Sequence, residues 1–167
     1  KIDPRTFLSF RIHRQGVDAR HLRQIILVYT LDVDVPDEEA ILAQKIPRVT
    51  LAADIPYSVP LVSNALSGRP LIVGTGPAGL FAGLLLARAG ARPLFLERGQ
   101  PIDERVKNVQ QFLLEGKLNT ESNMQFGEGG AGTFSDGKLN SSVSDPRCRW
   151  VLEQLVAAGA PSEILYK

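Results

Sequence analysis

Gly74, Gly76 and Gly79 form a G-x-G-x-x-G pattern, and Glu97 follows eighteen residues after the last of them. These residue types at this spacing suit a ligand that carries phosphates and a ribose. Gly74 permits a tight turn out of a strand. Gly76 lacks a Cβ, so a pyrophosphate can approach the backbone, and Gly79 lets a helix lie close to the strand. A helix starting at this turn presents unpaired N–H groups and a partial positive charge to the phosphates. Pro77 suits the first helical turn, where an N–H has no helical partner. Glu97 stands where an acid accepts from a ribose hydroxyl. It argues mildly against a 2′-phosphate, although Arg98 beside it weakens that argument.

A second glycine-rich segment, FGEGGAGTFSDGK, spans residues 126–138. Gly127, Gly129, Gly130 and Gly132 are too dense for ordinary secondary structure. Such backbone turns sharply or lets a ligand come close, and its N–H groups can form an anion nest. A flexible surface loop is disfavoured because Phe126, Phe134 and Leu139 accompany it. Residues 132–138 nearly spell a P-loop. Leu139 stands where Ser or Thr should hold Mg²⁺, and no buried strand leads in, so nucleoside triphosphate binding there is rejected. Arg105, just beyond the ribose acid, is a candidate phosphate contact.

These residues need elements to hold them. Leu71, Ile72 and Val73 read as a short buried strand, residues 80–89 as a helix closed by Gly90, and residues 93–96 as a second strand. Residues 102–115 form an amphipathic helix with Asp103 near its start and Gly116 after its end. Its buried stripe is expected to be Ile102, Val106, Val109 and Leu113, with Arg105 and Lys107 projecting elsewhere. Asp145-Pro146 starts a last helix, with Cys148, Val151, Leu152, Leu155 and Val156 on its apolar face. There Cys148 is expected to be a small core residue and Trp150 a packing residue.

The region before residue 60 has a different design. Only Gly16 and Gly68 precede residue 71, and the other thirteen glycines follow it. Residues 7–14 read as a strand, Gln15-Gly16 as a turn, and residues 25–35 as the clearest strand of the chain. Residues 37–46 suit a helix stopped by Pro47, and residues 49–52 a final strand. The expected organisation is α/β. Residues 1–58 form a partial ferredoxin-like α+β domain, 59–70 a Pro- and Ser-punctuated linker, and 71–167 the first part of a Rossmann-like FAD/NAD(P)-binding domain built on a βαβ unit. A doubly wound sheet needs more strands than residues 71–167 supply, so the chain is expected to be a fragment.

Composition narrows the function classes. The 167 residues carry 19 Lys and Arg against 18 Asp and Glu, a net charge of +1. That balance gives no electrostatic case for nucleic acid or an anionic membrane. Arg11, Arg14, Arg20 and Arg23 are read as a solvated face. No apolar run reaches membrane-spanning length, and no signal or transit segment is visible. The single cysteine fits a reducing compartment, so a cytoplasmic location is expected. His13 and His21 have no second ligand at a useful spacing, so no metal is expected.

The run VGTGPAGL followed by LERG resembles the FAD-binding opening of glutathione-reductase-type flavoproteins. The run ESNMQFGEGGAGTFSDGKL, residues 121–139, closely resembles FAD-dependent (NAD-utilising) dehydrogenases of bacteria and plastids. DPRCRWVLEQLVAAGAPSEILY follows the same pattern, as does VYTLDVDV in the region before the flavin domain. The resemblance implies FAD contacts at Gly74, Gly76, Pro77, Ala78, Gly79, Glu97 and Arg98. It also implies that Gly129, Gly130, Ala131, Gly132 and Thr133 lie against the flavin or its pyrophosphate. From residue type, Lys138 is placed near the N1–C2=O edge of the flavin, where positive charge favours the reduced form.

A disulfide reductase is excluded because one cysteine cannot supply a redox pair. The expected function is an FAD-dependent oxidoreductase of dehydrogenase type, with NAD(P)H as a candidate electron donor and a small-molecule substrate or acceptor. Two alternatives remain: an NAD-binding dehydrogenase without flavin, and a non-enzymatic nucleotide-binding or interaction module. No catalytic acid or base is assigned. Glu128 and Asp136 are read as turn residues.

Overall fold

The computed structural model describes residues 2–21, 23–52, 56–59, 68–135, 143 and 145–167. Lys138, Asp136, Leu139 and most of the expected 59–70 linker lie outside them. The chain is a mixed α/β structure that divides into two compact units, residues 1–57 with 142–167 and residues 58–141.

The first unit is built on a β-hairpin, β1 (Ser9–His21) and β2 (Gln24–Asp34), paired antiparallel. Gln15-Gly16 is not a turn. β1 runs straight through it, with Gln15 opposite Tyr29 and Gly16 opposite Val28. The β-branched run of β2 offers a partner along that whole length, and cross-strand pairing overrides the local glycine signal. His13 is an extra residue in the ladder, because Ile12 pairs with Leu31 and Arg14 with Thr30. Such a bulge reverses which face each later side chain takes. His13 Nδ1 and Arg11 Nε both approach Asp32 Oδ2, at 3.2 and 2.9 Å.

The helix expected over 37–46 is shorter, α1 (Glu38–Ala43), with the Asp37 side chain accepting from the Ala40 N–H. The strand expected at 49–52 does not form. Lys45 and Arg48 both hold positive φ, which turns the chain sharply before that segment. The helix expected after Asp145 is α4 (Pro146–Ala157), with Asp145 accepting from the Arg147 N–H and Pro146 in its first turn. Cys148 is exposed, a correction to its expected core position. Trp150 packs edge-on against Tyr57, with ring centroids 6.0 Å apart.

The second unit contains β3 (Leu71–Val73), α2 (Pro77–Arg88), β4 (Leu94–Leu96) and α3 (Ile102–Glu115). β3 and β4 pair parallel, Leu71 with Leu94 and Val73 with Leu96, so β3, α2 and β4 make a βαβ unit. Two more backbone bonds lengthen the pairing, Leu94 N–H to the Pro70 carbonyl at 2.8 Å and Gly74 N–H to the Leu96 carbonyl at 2.7 Å. α2 lies close to this sheet because Gly83 is buried against the Phe95 ring.

α3 begins and ends as expected, and Gly116 closes it in the left-handed conformation. Its inner face differs from the expected stripe. Val109 is buried, but Leu113 is 65% exposed and Arg105 is fully buried. Its N-cap is Pro101, which has no side-chain cap, and Asp103 does not fill that role. The Glu128 carboxylate does, accepting from the Ile102 N–H at 2.8 Å. Among the described residues no helix is long and apolar enough to cross a membrane.

Candidate functional site

The chemistry-bearing residues of the second unit converge on the turn between β3 and α2. Gly74 leaves the strand with φ 95°. Gly76 is the N-cap of α2 and Pro77 its first residue. The amides of Ala78 and Gly79 fall in the first turn, where the helix offers no acceptor. Ala78 is exposed, and space around a Cβ on Gly76 is open. Gly79 is different, because a Cβ there would overlap the Gly74 carbonyl oxygen. Thus Gly79 lets the helix close on the turn, and Gly76 leaves the turn accessible from outside.

Glu97, at the end of β4, ties this turn to the next one. Its Oε2 accepts from the Thr75 N–H at 2.7 Å and the Thr75 hydroxyl at 2.9 Å, and its Oε1 accepts from the Gly99 N–H at 2.8 Å. The Gly99 and Thr75 amides hold its carboxyl below the usual glutamate range. A carboxylate has about four lone-pair positions, so accepting these donors leaves capacity for a ribose hydroxyl. Glu97 therefore fixes the turn as well as standing at the expected ribose position.

This latch gives a pH dependence. Because its folded-state pKa is lowered, Glu97 contributes stability in full above the ordinary value of 4.5 and loses it as pH falls through the lowered value. Glu97→Gln is expected to be less stable than wild type at pH 7, by about 1–2 kcal/mol. The gap should narrow as the pH falls below 4.5. Urea unfolding midpoints between neutral and acid pH measure it, and a gap that stays constant contradicts the latch.

The second glycine-rich segment rests on the first turn. The Gly129 N–H donates to the Thr75 carbonyl at 2.9 Å. A Cβ on Gly130 would lie 3.1 Å from Pro77 Cδ and 3.2 Å from Gly76 Cα. The Glu128 N–H donates to the Gln100 carbonyl at 3.2 Å, a Cβ on Gly99 would overlap the Gly127 backbone, and one on Gly127 would overlap Arg105 Cδ and the Gln100 carbonyl. Ala131, Gly132 and Thr133 follow in a 3-10 turn (Ala131–Phe134) and are exposed.

Arg105 holds this segment in place. Expected to project outward as a phosphate contact, it is instead enclosed under the loop. Its Nη1 donates to the carbonyls of Glu128 and Gly130, the latter at 3.1 Å. Nη2 donates to those of Asn123 (3.0 Å), Met124 (3.2 Å) and Gly130 (3.1 Å), and Nε reaches the Asn123 carbonyl at 3.3 Å. The guanidinium lies 5.0 Å from the Phe134 ring centroid. Among the described residues its acceptors are carbonyls and the Thr133 hydroxyl at 3.4 Å, with no carboxylate. Arginine suits this task because its planar fork directs several donors at once and stacks on an aromatic face. Beside it Ser122 is buried and accepts from Asn108 Nδ2 at 2.9 Å, which pins the start of the loop to α3.

Arg98 lies at the rim, 3.4 Å from Glu121 Oε2 and 4.7 Å from the Phe126 ring centroid. The structure thus gathers Gly74, Gly76, Pro77, Ala78, Gly79, Glu97, Arg98, Gly129 and Gly130 around one turn, with residues 131–133 adjoining in sequence. Two roles escaped the sequence reading, those of Thr75 and Glu128. Thr75 occupies a variable position of the glycine pattern. The cap made by Glu128 joins residues 26 apart in sequence. No sequence signal marks either.

A family described as FAD binding domain matches residues 69–108, which span β3, α2, β4, Glu97, Arg98 and Arg105. A protein of Clostridium beijerinckii, itself described as uncharacterized, is 42% identical over 158 residues, covering 93% of this chain. The chain spans 30% of the length of that relative. The accessible helix N-terminus, the glycine turn and the acid after β4 fit the pyrophosphate and ribose of a dinucleotide, and the matched family makes FAD the cofactor of this segment.

Proposed function

We propose that the chain is part of a longer FAD-dependent oxidoreductase of dehydrogenase type, with a Rossmann-like cofactor fold completed by later strands. The observation that carries this reading is the docking of the second glycine-rich segment on the first turn, through the Gly129 N–H and the Thr75 carbonyl. A nucleotide alone needs only the first turn. A second glycine-rich loop beside it suits a longer cofactor whose remaining half must also be covered.

In this reading the α2 N-terminus binds the pyrophosphate, Glu97 orients the ribose and Arg98 flanks the adenosine side. Residues 129–133 lie along the path towards the flavin, and the positive charge of a lysine such as Lys138 would favour the reduced flavin. Bound FAD supplies the hydride or electron chemistry, while the protein supplies orientation and electrostatics. The electron donor is NAD(P)H, the partner a small molecule, and the location cytoplasmic. Residues 1–58 belong to a ferredoxin-like α+β module of which they supply only a part. Large exposed apolar side chains support the greater length. Val73 on β3 is 80% exposed and Leu114 on α3 86%, and further elements of a longer chain would cover them.

Anaerobic titration of the full-length protein with NADH and with NADPH tests the activity. Bleaching of the flavin absorption by one of them is the expected result. A flavin that neither nucleotide reduces contradicts the dehydrogenase assignment.

A further inference from the structure

The geometry points to Arg105 as a positioning residue of the cofactor site, one that acts through the backbone of residues 123–131 and aims the Ala131 N–H at the FAD pyrophosphate. The inference rests on the flavin reading and adds to it a specific donor and the residue that orients it.

Peptide planarity sets where the loop amides point. In a trans peptide the C=O and the following N–H point in opposite directions, and the described chain has no cis bonds. Each carbonyl that Arg105 draws inward therefore sends the next amide away from the guanidinium. The Glu128–Gly129 peptide illustrates this. Its carbonyl accepts from Arg105, and its N–H emerges on the other side to donate to the Thr75 carbonyl at 2.9 Å.

The Gly130–Ala131 peptide obeys the same rule. Its carbonyl accepts from both Nη1 and Nη2 of Arg105, each at 3.1 Å. The Ala131 N–H must then point away from Arg105. Gly130, in the same peptide, lies against Gly76 and Pro77 at the start of α2. A donor leaving the loop there adjoins the helix amides that receive the pyrophosphate. Arg105 is enclosed and cannot touch the cofactor in this structure. Its charge instead polarises the carbonyls, which strengthens the opposed N–H donors.

Ala131→Pro tests the donor. Gly130 before it has ψ −166°, an extended value compatible with a following proline, and Ala131 opens a 3-10 turn, where proline is accommodated. The substitution thus removes the N–H while keeping the path of the loop. In the full-length protein Ala131→Pro is expected to weaken FAD and ADP alike by roughly tenfold or more, the scale of a hydrogen bond to a charged group. Ala131→Gly, which keeps the N–H, should stay within about threefold of wild type, less than one such bond. Unchanged FAD affinity in Ala131→Pro overturns the proposal. So does a loss of FAD affinity with ADP unaffected, because the donor would then serve the flavin half.

Arg105→Lys tests the orienting role without cofactor. Lysine keeps the charge but not the planar fork, so amide exchange at residues 124–131 of the apo full-length protein should speed up while exchange in α2 stays unchanged. Phe134→Leu, which removes the ring under the guanidinium, should do the same more weakly and serves if Arg105→Lys does not fold. Unchanged loop exchange in a folded Arg105→Lys overturns the positioning role. Wild-type protein that binds neither FAD nor ADP would overturn the flavin reading instead, and the exchange result would still decide whether Arg105 orients the loop.

Discussion

Arg105→Met is expected to cost the full-length protein about a hundredfold or more in FAD affinity, with a stability loss of about 2–5 kcal/mol. Methionine fills much of the space but donates nothing. The carbonyls of Asn123, Met124 and Glu128 would lose their donor inside a closed site, and that of Gly130 would keep only its Thr133 donors. Each buried acceptor left without a partner costs about 1–3 kcal/mol. The loop has a cheaper alternative, which is to open and give those carbonyls to water. Opening breaks the Gly129–Thr75 bond and lifts Gly130 from the α2 N-terminus. Proteolytic cleavage within residues 122–134 should therefore speed up well before global unfolding. Wild-type resistance in that segment, together with wild-type FAD affinity, contradicts the role given to Arg105.

The second large effect separates two glycines of one motif. Gly79→Val puts a side chain onto the Gly74 carbonyl oxygen, a backbone atom that cannot rotate aside. α2 must move away from β3, at a cost of about 1–3 kcal/mol or more. Its N-terminal amides move too, so FAD binding should fall below detection. Gly76→Ala meets no protein atom, and its backbone, φ −71° and ψ 178°, is open to any residue. That variant should unfold within about 0.5 kcal/mol of wild type, the small cost of changing a cap. Its FAD affinity should still fall by roughly tenfold, because the new methyl group stands where the pyrophosphate approaches. Thermal unfolding and flavin titration of both variants make the comparison. Equal stability losses in the two would contradict the division of roles.

The βαβ unit was legible in sequence because its determinants are local. Gly74 needs positive φ, Pro77 suits a first turn, and the glycines after α2 and α3 end those helices without reference to distant residues. The helix starting at Asp145-Pro146 was readable for the same reason. Where distant partners decide, local signals misled. Gly16 suggested a turn, but β2 supplies a pairing partner along the whole of β1. Arg105 read as an outward residue on an amphipathic helix. Its burial depends on carbonyls from residues 18 to 25 positions later, which the helical period does not register. Cys148 falls at the right spacing for the apolar face of α4, yet burial requires a surface opposite it, and Cys148 remains exposed. The site was thus visible as a set of residue types. The bonds that bring its two halves together, Gly129 to Thr75 and Arg105 to the loop, were not.

Flavin content and reconstitution of the purified full-length protein decide whether this chain holds FAD. The expected result is a yellow protein that carries a single FAD per chain, loses it on denaturation, and fails to retain it when Gly79 is replaced by valine. A colourless protein that takes up no FAD on reconstitution, yet binds NADH at the same glycine turn, would contradict it.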